Sequence, residues 1–394
     1  MVSQEMLELG TKRSVIRELF EYGKKRAAEI GAENVYDFSI GNPSVAPPST
    51  VRQAIDNLLN NEDSVALHGY TSAQGDAGVR QAMADYLNKT YGESFTANSF
   101  YMTCGAAASL MITLKALVLP GEEVIIFAPF FPEYKVFIQS VGGKPVVAPP
   151  CREDFQIDLT AFAEALTPQT KAIIVNSPNN PSGVVYSQET IKSLCAALKA
   201  KAQEYGHTIY LITDEPYREL VYDGVEVPFL TKYYDDTLVC YSFSKSLSLP
   251  GERIGYIGVC PRMQEERQVY AALCGAGRSL GYVCAPSLFQ KVAAACVGQT
   301  ADISVYQKNR DLLAGALEKL GFHCIQPDGA FYLFVQSPEG DTQAFCEKAK
   351  KYELLLVPGA DFGCPEFVRI SYCVSTKMIE SSLPAFAKLA AEYK

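Results

Sequence analysis

The chain carries 394 residues, with 44 acidic against 35 basic side chains for a formal net charge of −9, 48% hydrophobic and 20% charged. This composition excludes a disordered or collagen-like chain, and at about 150 residues per domain the length predicts two or three domains, or one large α/β domain with a smaller partner. No run of Lys or Arg offsets the acidic balance, so nucleic acid and anionic membranes are excluded as general partners and small polar ligands are expected.

In chain order, residues 1–10 carry Glu5 and Glu8 and no apolar stretch of the signal-peptide kind. Residues 5 to about 31 read as one helix, an arm before the main fold, with Val15, Ile16, Leu19 and Phe20 as a short apolar stripe and Gly31 near its end. From Phe100 onward short apolar runs alternate with longer amphipathic ones, the pattern of βαβ units and a mainly parallel sheet. Strands are predicted at 123–127, 144–148, 171–176, 208–213, 237–242 and 254–260, with helices at 106–117, 160–166 and 187–205. Beyond residue 285 a long helical pattern runs to Leu320. Strands at 322–325, 331–335 and 367–372 and a helix from about 376 then form a smaller α+β unit. The expected division is an N-terminal arm and start of the small domain over 1–48, a large α/β domain over 49–284, and a C-terminal small domain over 285–394.

No stretch of 18 apolar residues exists, so no membrane span is expected, and a cytoplasmic protein is inferred. The twelve cysteines never fall in a C-x2-C or C-x4-C pair and most lie in apolar runs, which predicts buried reduced thiols. His68, His207 and His323 are scattered, so no metal site is expected.

A mainly parallel sheet binds ligands at the carboxyl ends of its strands, which directs attention to the residues following each run. After 171–176 come Asn176-Ser177-Pro178-Asn179-Asn180-Pro181-Ser182-Gly183, by composition a tight turn. The next strand ends in Thr213-Asp214-Glu215-Pro216-Tyr217, an acid with a phenol three residues on; alone, such an acid is commonly a helix cap. The following strand enters Ser242-Phe243-Ser244-Lys245, with Arg253 eight residues beyond the lysine. A lone lysine there reads as a solvated side chain. Three consecutive strand ends supplying an amide, an acid with a phenol, and a lysine with hydroxyls and an arginine together predict a site.

In order and spacing these motifs resemble the fold-type I pyridoxal phosphate (PLP) aminotransferases of class I/II, the aspartate aminotransferase superfamily, over nearly the whole chain. The resemblance implies a large domain with a mainly parallel seven-stranded sheet flanked by helices, plus a smaller α+β domain. It implies exchange of an amino group between an L-amino acid and a 2-oxo acid, with Lys245 as the Schiff-base lysine and the base that moves the α-proton. Asp214 corresponds to the carboxylate that keeps the ring nitrogen protonated, and Tyr217 and Asn180 to donors at the ring phenolate oxygen.

For the cofactor phosphate, the turn Thr103-Cys104-Gly105-Ala106-Ala107-Ala108 opens a helical run whose backbone N–H groups suit an anion. Ser242, Ser244 and Arg253 match further phosphate contacts. Phe131 falls where the family stacks an aromatic on the pyridine face, with adjacent Phe130 as the alternative. Tyr70 resembles the tyrosine that reaches the neighbouring subunit's cofactor, which implies a homodimer. Arg369, a charge inside an apolar strand, corresponds to the residue that holds the substrate α-carboxylate; a structural salt bridge is its other reading. Gly41, in Ile40-Gly41-Asn42-Pro43, matches a loop contacting the same carboxylate, and the segment Arg17 to Phe20 is expected to cover the pocket.

Two departures bear on specificity. The family's hydroxyl-bearing phosphate turn is here Gly105-Ala106-Ala107, leaving backbone groups alone to bind, and no lysine of the kind found in some aspartate-selective members occupies it. Arg278 lies one residue out of register with the arginine that animal-type aspartate enzymes use for a distal carboxylate, Ser279 falling there instead. A C–S β-lyase of the same fold, and a non-catalytic PLP-binding regulator, are the alternative functions.

Overall fold

The computed structural model describes residues 2–11 and 14–394. Its main sheet comprises β1 (Phe100–Thr103), β2 (Glu123–Phe127), β3 (Lys144–Ala148), β4 (Thr170–Asn176), β5 (Tyr210–Asp214), β6 (Thr237–Ser242) and β7 (Gly255–Val259). Their spatial order is β1-β7-β6-β5-β4-β2-β3, and β7 runs antiparallel to both its neighbours while the other pairs are parallel. All six strands read from the sequence form, and β1 completes the seven.

The near-continuous apolar runs follow from burial of both sheet faces. Ile126, Ile174, Ile212 and Cys240 point to one side, where Leu110 and Leu114 of the helix Ala106–Leu117 and Leu273 of Glu266–Leu280 cover them. Ile125, Ile173 and Leu211 point to the other, under Ile191, Leu194 and Leu198 of Gln188–Tyr205. Successive strand residues alternate between the two cores because the pleat turns each side chain to the opposite face.

The smaller unit is an antiparallel sheet in the order Val357–Pro358, Phe367–Ser371, Tyr332–Gln336, Cys324–Ile325, packed on the helices Ser304–Leu320 and Thr376–Ala391. Tyr36–Asp37 pairs in parallel with Leu354–Leu355, so chain from the first fifty residues joins this unit.

Two long helical readings divide. The arm is two helices, Gln4–Thr11 and Val15–Ile30; the second is capped by Ser14, whose hydroxyl accepts from the Arg17 N–H, so a cap just before the stripe marks a new start. Lys12 and Arg13 lie outside the described residues. The pattern from 285 to 320 is Ser287–Ala295 and Ser304–Leu320, separated around Gly298 at φ +80°, a conformation that breaks a helix. Val292 and Ala293 of the first join Val51, Val79 and Met83 in the core beside the main sheet, so this helix packs with the elements preceding residue 285.

Candidate active site

The carboxyl ends of β1, β4, β5 and β6 share one rim, and there lie Gly105, Asn180, Asp214 and Lys245. Because β7 is antiparallel, its amino end lies at the same rim, with Gly255 paired to both Thr103 and Ser242. Arg253, two residues before Gly255, therefore arrives beside the same turn that β1 feeds. Asn180, Asp214, Lys245 and Arg253, with Ala106 and Ala107 of the turn after Gly105, line a cavity of about 300 Å³ together with Ile16, Ile40, Gly41, Phe131, Tyr217, Tyr332 and Arg369.

Lys245 sits in a short helix, Phe243–Ser246, capped by the Ser242 hydroxyl, which accepts from the Ser244 N–H. Its Nζ donates to the Gly41 carbonyl at 2.7 Å. Burial lowers its amine to about 8; the Cys373 thiol opposes this, and the cations Arg253 and Arg369 reinforce it. At pH 7 roughly one such amine in ten is neutral, against a few in ten thousand for an ordinary lysine.

Asp214 closes β5 and is buried. Its Oδ2 accepts a 2.5 Å hydrogen bond from the Tyr134 hydroxyl, while Oδ1 is buried with no partner. Desolvation raises the carboxyl to about 7; the Tyr134 bond works against that and the Glu215 charge adds to it. A cationic N–H donor at Oδ1 would satisfy the orphaned oxygen and restore the carboxylate.

Arg369 is 2% exposed, and among the described residues no carboxylate pairs with it. It donates from Nη1 to Asn180 Oδ1 at 3.1 Å and from Nη2 to the Ser39 carbonyl at 2.5 Å, leaving Nε buried without a partner. The salt-bridge reading is thereby set aside: this is a buried cation with spare donors facing a cavity, which calls for an anionic ligand. Desolvation lowers its pKa, the direction expected of a guanidinium short of counter-charge.

At the other end, the helix Ala106–Leu117 starts at Gly105 with no side-chain cap, so its first N–H groups are free for an anion. Gly105 has φ +88°, and a Cβ there would lie 2.8 Å from Arg253 Nη2. The glycine thus lets the guanidinium settle against the turn. Ser242 and Ser244 complete this end of the lining.

Phe131 lines the cavity whereas Phe130 is buried in the core. In the arm it is Ile16 that reaches the lining, one residue before the expected segment. Tyr70 lies outside this cavity and is 98% exposed. Arg278 is also outside it, exposed in the last turn of Glu266–Leu280.

Three residues of the site escaped the motif reading. The Asn176 amide donates to the Asp214 carbonyl at 2.8 Å while its Oδ1 accepts from the Asn180 N–H at 2.8 Å, tying two strand ends together. Tyr332 holds the Tyr217 hydroxyl at 2.8 Å and stacks under the Arg369 guanidinium. Tyr134 clamps Asp214. Asn176 carried a signal, a polar residue ending a buried strand; Tyr332 lay within an apolar run, and Tyr134, between Glu133 and Lys135, carried no signal of its role.

A lysine of lowered pKa, a buried acid with one vacant oxygen, an uncapped helix start with an arginine and a second, unpaired arginine around one cavity on a seven-stranded α/β sheet define a fold-type I PLP enzyme. The profile of the family described as "Aminotransferase class I and II" matches residues 33–386, and the chain belongs to that family. Among relatives, an aspartate aminotransferase of Thermotoga maritima is 28% identical over 97% of both chains. A probable N-acetyl-LL-diaminopimelate aminotransferase of Bacillus subtilis is 29% identical over 93% of this chain and 92% of its own. The crystal structure of an amino transferase from Eubacterium rectale superposes with a TM-score of 0.98 at 57% identity, covering 100% of this chain and 99% of that one. The protein is a PLP-dependent aminotransferase acting between an amino acid and a 2-oxo acid. Among the described residues no helix is long and apolar enough to cross a membrane.

Proposed function

We propose that Lys245, Asp214 and Arg369 perform amino-group transfer from the places the cavity gives them, the observation that carries this being the unpaired Arg369 facing the same space as the lowered Lys245 amine and the vacant Asp214 oxygen. PLP, when bound, supplies an electron-poor ring that accepts the electron pair released at the substrate α-carbon. Arg369 takes the substrate α-carboxylate in its planar fork, with Asn180 fixing its orientation. Lys245 Nζ would hold the cofactor aldehyde, and as a neutral amine it can take the proton from the substrate α-carbon and give it back. Asp214 Oδ1 would accept from the ring N–H, Tyr217 and the Asn180 amide would donate to the ring oxygen, and Phe131 would cover one ring face. The N–H groups of Gly105, Ala106 and Ala107, with Ser242, Ser244 and Arg253, bind the phosphate.

The substrate end supports an amino donor with an uncharged, apolar side chain. Ile40, which adjoins Gly41, and Ile16 of the arm both belong to the lining. The cations that this chain brings to the lining are Lys245, Arg253 and Arg369, and each is already committed, to the aldehyde, the phosphate and the α-carboxylate in turn. In a panel of amino acids mixed with cofactor-loaded protein, leucine, methionine and phenylalanine are expected to discharge the visible absorbance at least about tenfold faster than aspartate, one bound apolar group being worth that much. The Lys245→Ala variant should show neither the absorbance nor turnover.

A second copy supplies Tyr70. The tyrosine is 98% exposed, and its loop meets the segment carrying the exposed Tyr282 and Val283 through the Cys284 N–H, which donates to the Ala73 carbonyl at 3.2 Å. An exposed aromatic and apolar patch of this kind supports a homodimer. Sedimentation should give twice the chain mass, and Tyr70→Phe should weaken cofactor retention. All twelve cysteines are free, which supports a reducing, cytoplasmic location.

A further inference from the structure

Phe131 and Tyr134 come from one turn. The chain passes from β2 through 128–132 into the helix Glu133–Ser140, and the Tyr134 N–H donates to the Phe131 carbonyl at 3.0 Å. The two rings meet edge to face at 5.7 Å and 85°. One ring forms part of the cavity wall; the other lies below it, fully buried, with its hydroxyl on Asp214 Oδ2 at 2.5 Å.

A phenol has one proton to give, and here it goes to the carboxylate. Asp214 receives no other side-chain donor among the described residues, since the Asn176 amide bonds its backbone carbonyl and its Oδ1 has no partner. Glu215, Tyr217 and Cys240 are the other titratable groups acting on it; Glu215 is a like charge held by Arg218 at 2.8 Å, and the phenol and thiol are neutral. The carboxylate therefore has one fixed oxygen and one free oxygen, and the fixed one decides where the free one points.

We propose that Tyr134 is a positioning residue for the cofactor: its hydroxyl anchors Oδ2 of Asp214 so that Oδ1 meets the ring nitrogen, and the turn that carries Phe131 sets ring face and ring nitrogen together. Replacing Tyr134 by Phe removes one oxygen atom, leaves the edge-to-face contact, and frees the carboxylate to rotate and to protonate. Tyr134 touches neither substrate nor reacting atoms. Its effect passes through Asp214, and the inference rests on the assignment of Asp214 to the ring nitrogen.

The test uses the holoenzyme loaded with cofactor labelled with 15N in the ring, for the wild type, Tyr134→Phe, Asp214→Asn and the double variant. The Tyr134→Phe protein is expected to move the ring nitrogen resonance toward the unprotonated position and bind cofactor about tenfold or more weakly, the usual worth of a hydrogen bond to a charged group. Its kcat should fall with little change in KM, and the double variant should lose no more than Asp214→Asn alone. An unmoved resonance in Asp214→Asn would overturn both the Asp214 assignment and this inference. A resonance that moves in Asp214→Asn and stays put in Tyr134→Phe, or losses that add in the double variant, would overturn the role of Tyr134 alone. Should Tyr134→Phe not fold, 3-fluorotyrosine at position 134 keeps the shape and strengthens the donor. It is then expected to move the pH at which that resonance leaves the protonated position, and an unmoved midpoint would end the proposal.

Discussion

Lys245 Nζ donates to the carbonyl oxygen of Gly41 at 2.7 Å, so the amine that grows from the main sheet's rim is held by a loop running toward the small unit. A carbonyl accepts more strongly from an ammonium than from a neutral amine, so this bond and Cys373 favour the proton on Lys245, while burial and the two neighbouring arginines disfavour it. An amine attacks an aldehyde only when neutral. Since burial lowers Lys245 to about 8, the rate at which cofactor-free protein captures PLP should climb with pH and level off above about 8. Stopped-flow absorbance from pH 6 to 10 reads the midpoint. Arg369→Gln removes a cation that lowers it and should move it upward; a wild-type midpoint near the ordinary lysine value would contradict the burial argument.

Arg369→Gln should also separate substrates by their carboxylate. In the proposed role the lost partner would be a buried charge–charge contact, worth about 2–5 kcal/mol, or roughly one and a half to four orders of magnitude in kcat/KM for an α-amino acid. A simple alkyl amine without a carboxyl group should lose little, because it never used the fork. Steady-state kinetics on such a pair checks this, and equal losses on both would assign Arg369 to the fold.

Asp214 makes a prediction about stability. Its folded-state pKa is raised to about 7 from the carboxylate value of 3.8, so between those values the folded protein binds a proton that the unfolded chain does not. The stability that Asp214 contributes to cofactor-free protein is full below about pH 4 and lost as pH rises through 7. Asp214→Asn, which cannot ionise, should therefore melt near the wild type at pH 4.5 and above it at pH 8, by up to about 4 kcal/mol. Loading with PLP should reverse the order at pH 8, because the ring N–H gives the wild-type carboxylate its missing partner. Differential scanning calorimetry of both proteins, with and without cofactor, measures all four states.

The parts of this molecule that were legible in its sequence are those governed by short-range rules. The strands β2 to β7 stood out because a sheet covered on both faces needs unbroken apolar runs. Lys245, Asp214, Asn180 and Arg253 stood out because polar residues at the ends of such runs are unusual. The break at Ser14 was hidden because a cap of one residue stands directly before the apolar stripe in a stretch without glycine or proline, and the break near Gly298 because a turn was spanned by helical periodicity on both sides. Tyr134 and Tyr332 could not be seen at all. Each is buried among apolar residues and acts through its hydroxyl on a residue 80 or 115 positions away, a pairing fixed only by the fold.

Gly105→Ala should damage the phosphate end without touching Lys245. The position has φ +88°, where an L side chain is strained, and the new Cβ would press on the Arg253 guanidinium at 2.8 Å. The backbone term alone costs about 1–2 kcal/mol, and displacement of Arg253 adds a loss of phosphate affinity. Equilibrium dialysis should show weaker PLP binding, while binding of the phosphate-free aldehyde pyridoxal changes little. Equal weakening of both would mean that the turn serves the ring rather than the phosphate.

The proposed donor preference rests on Ile16 and Ile40 in the cavity lining. Ile16 stands half-buried in the first turn of the helix Val15–Ile30, where a longer side chain can follow the cavity surface without disturbing buried Leu19. Ile16→Lys places an ammonium at the substrate end, and a charge-assisted contact there should raise kcat/KM for aspartate by about tenfold. It should lower the value for leucine by a similar factor, since an apolar partner is replaced by a solvated charge. Arg278 provides the control. It is exposed and outside this chain's cavity, so Arg278→Ala should leave both donors within about twofold. If instead Arg278→Ala selectively abolished turnover of aspartate, the arginine of one copy would be reaching the cavity of the other, and the preference for an apolar donor would be wrong.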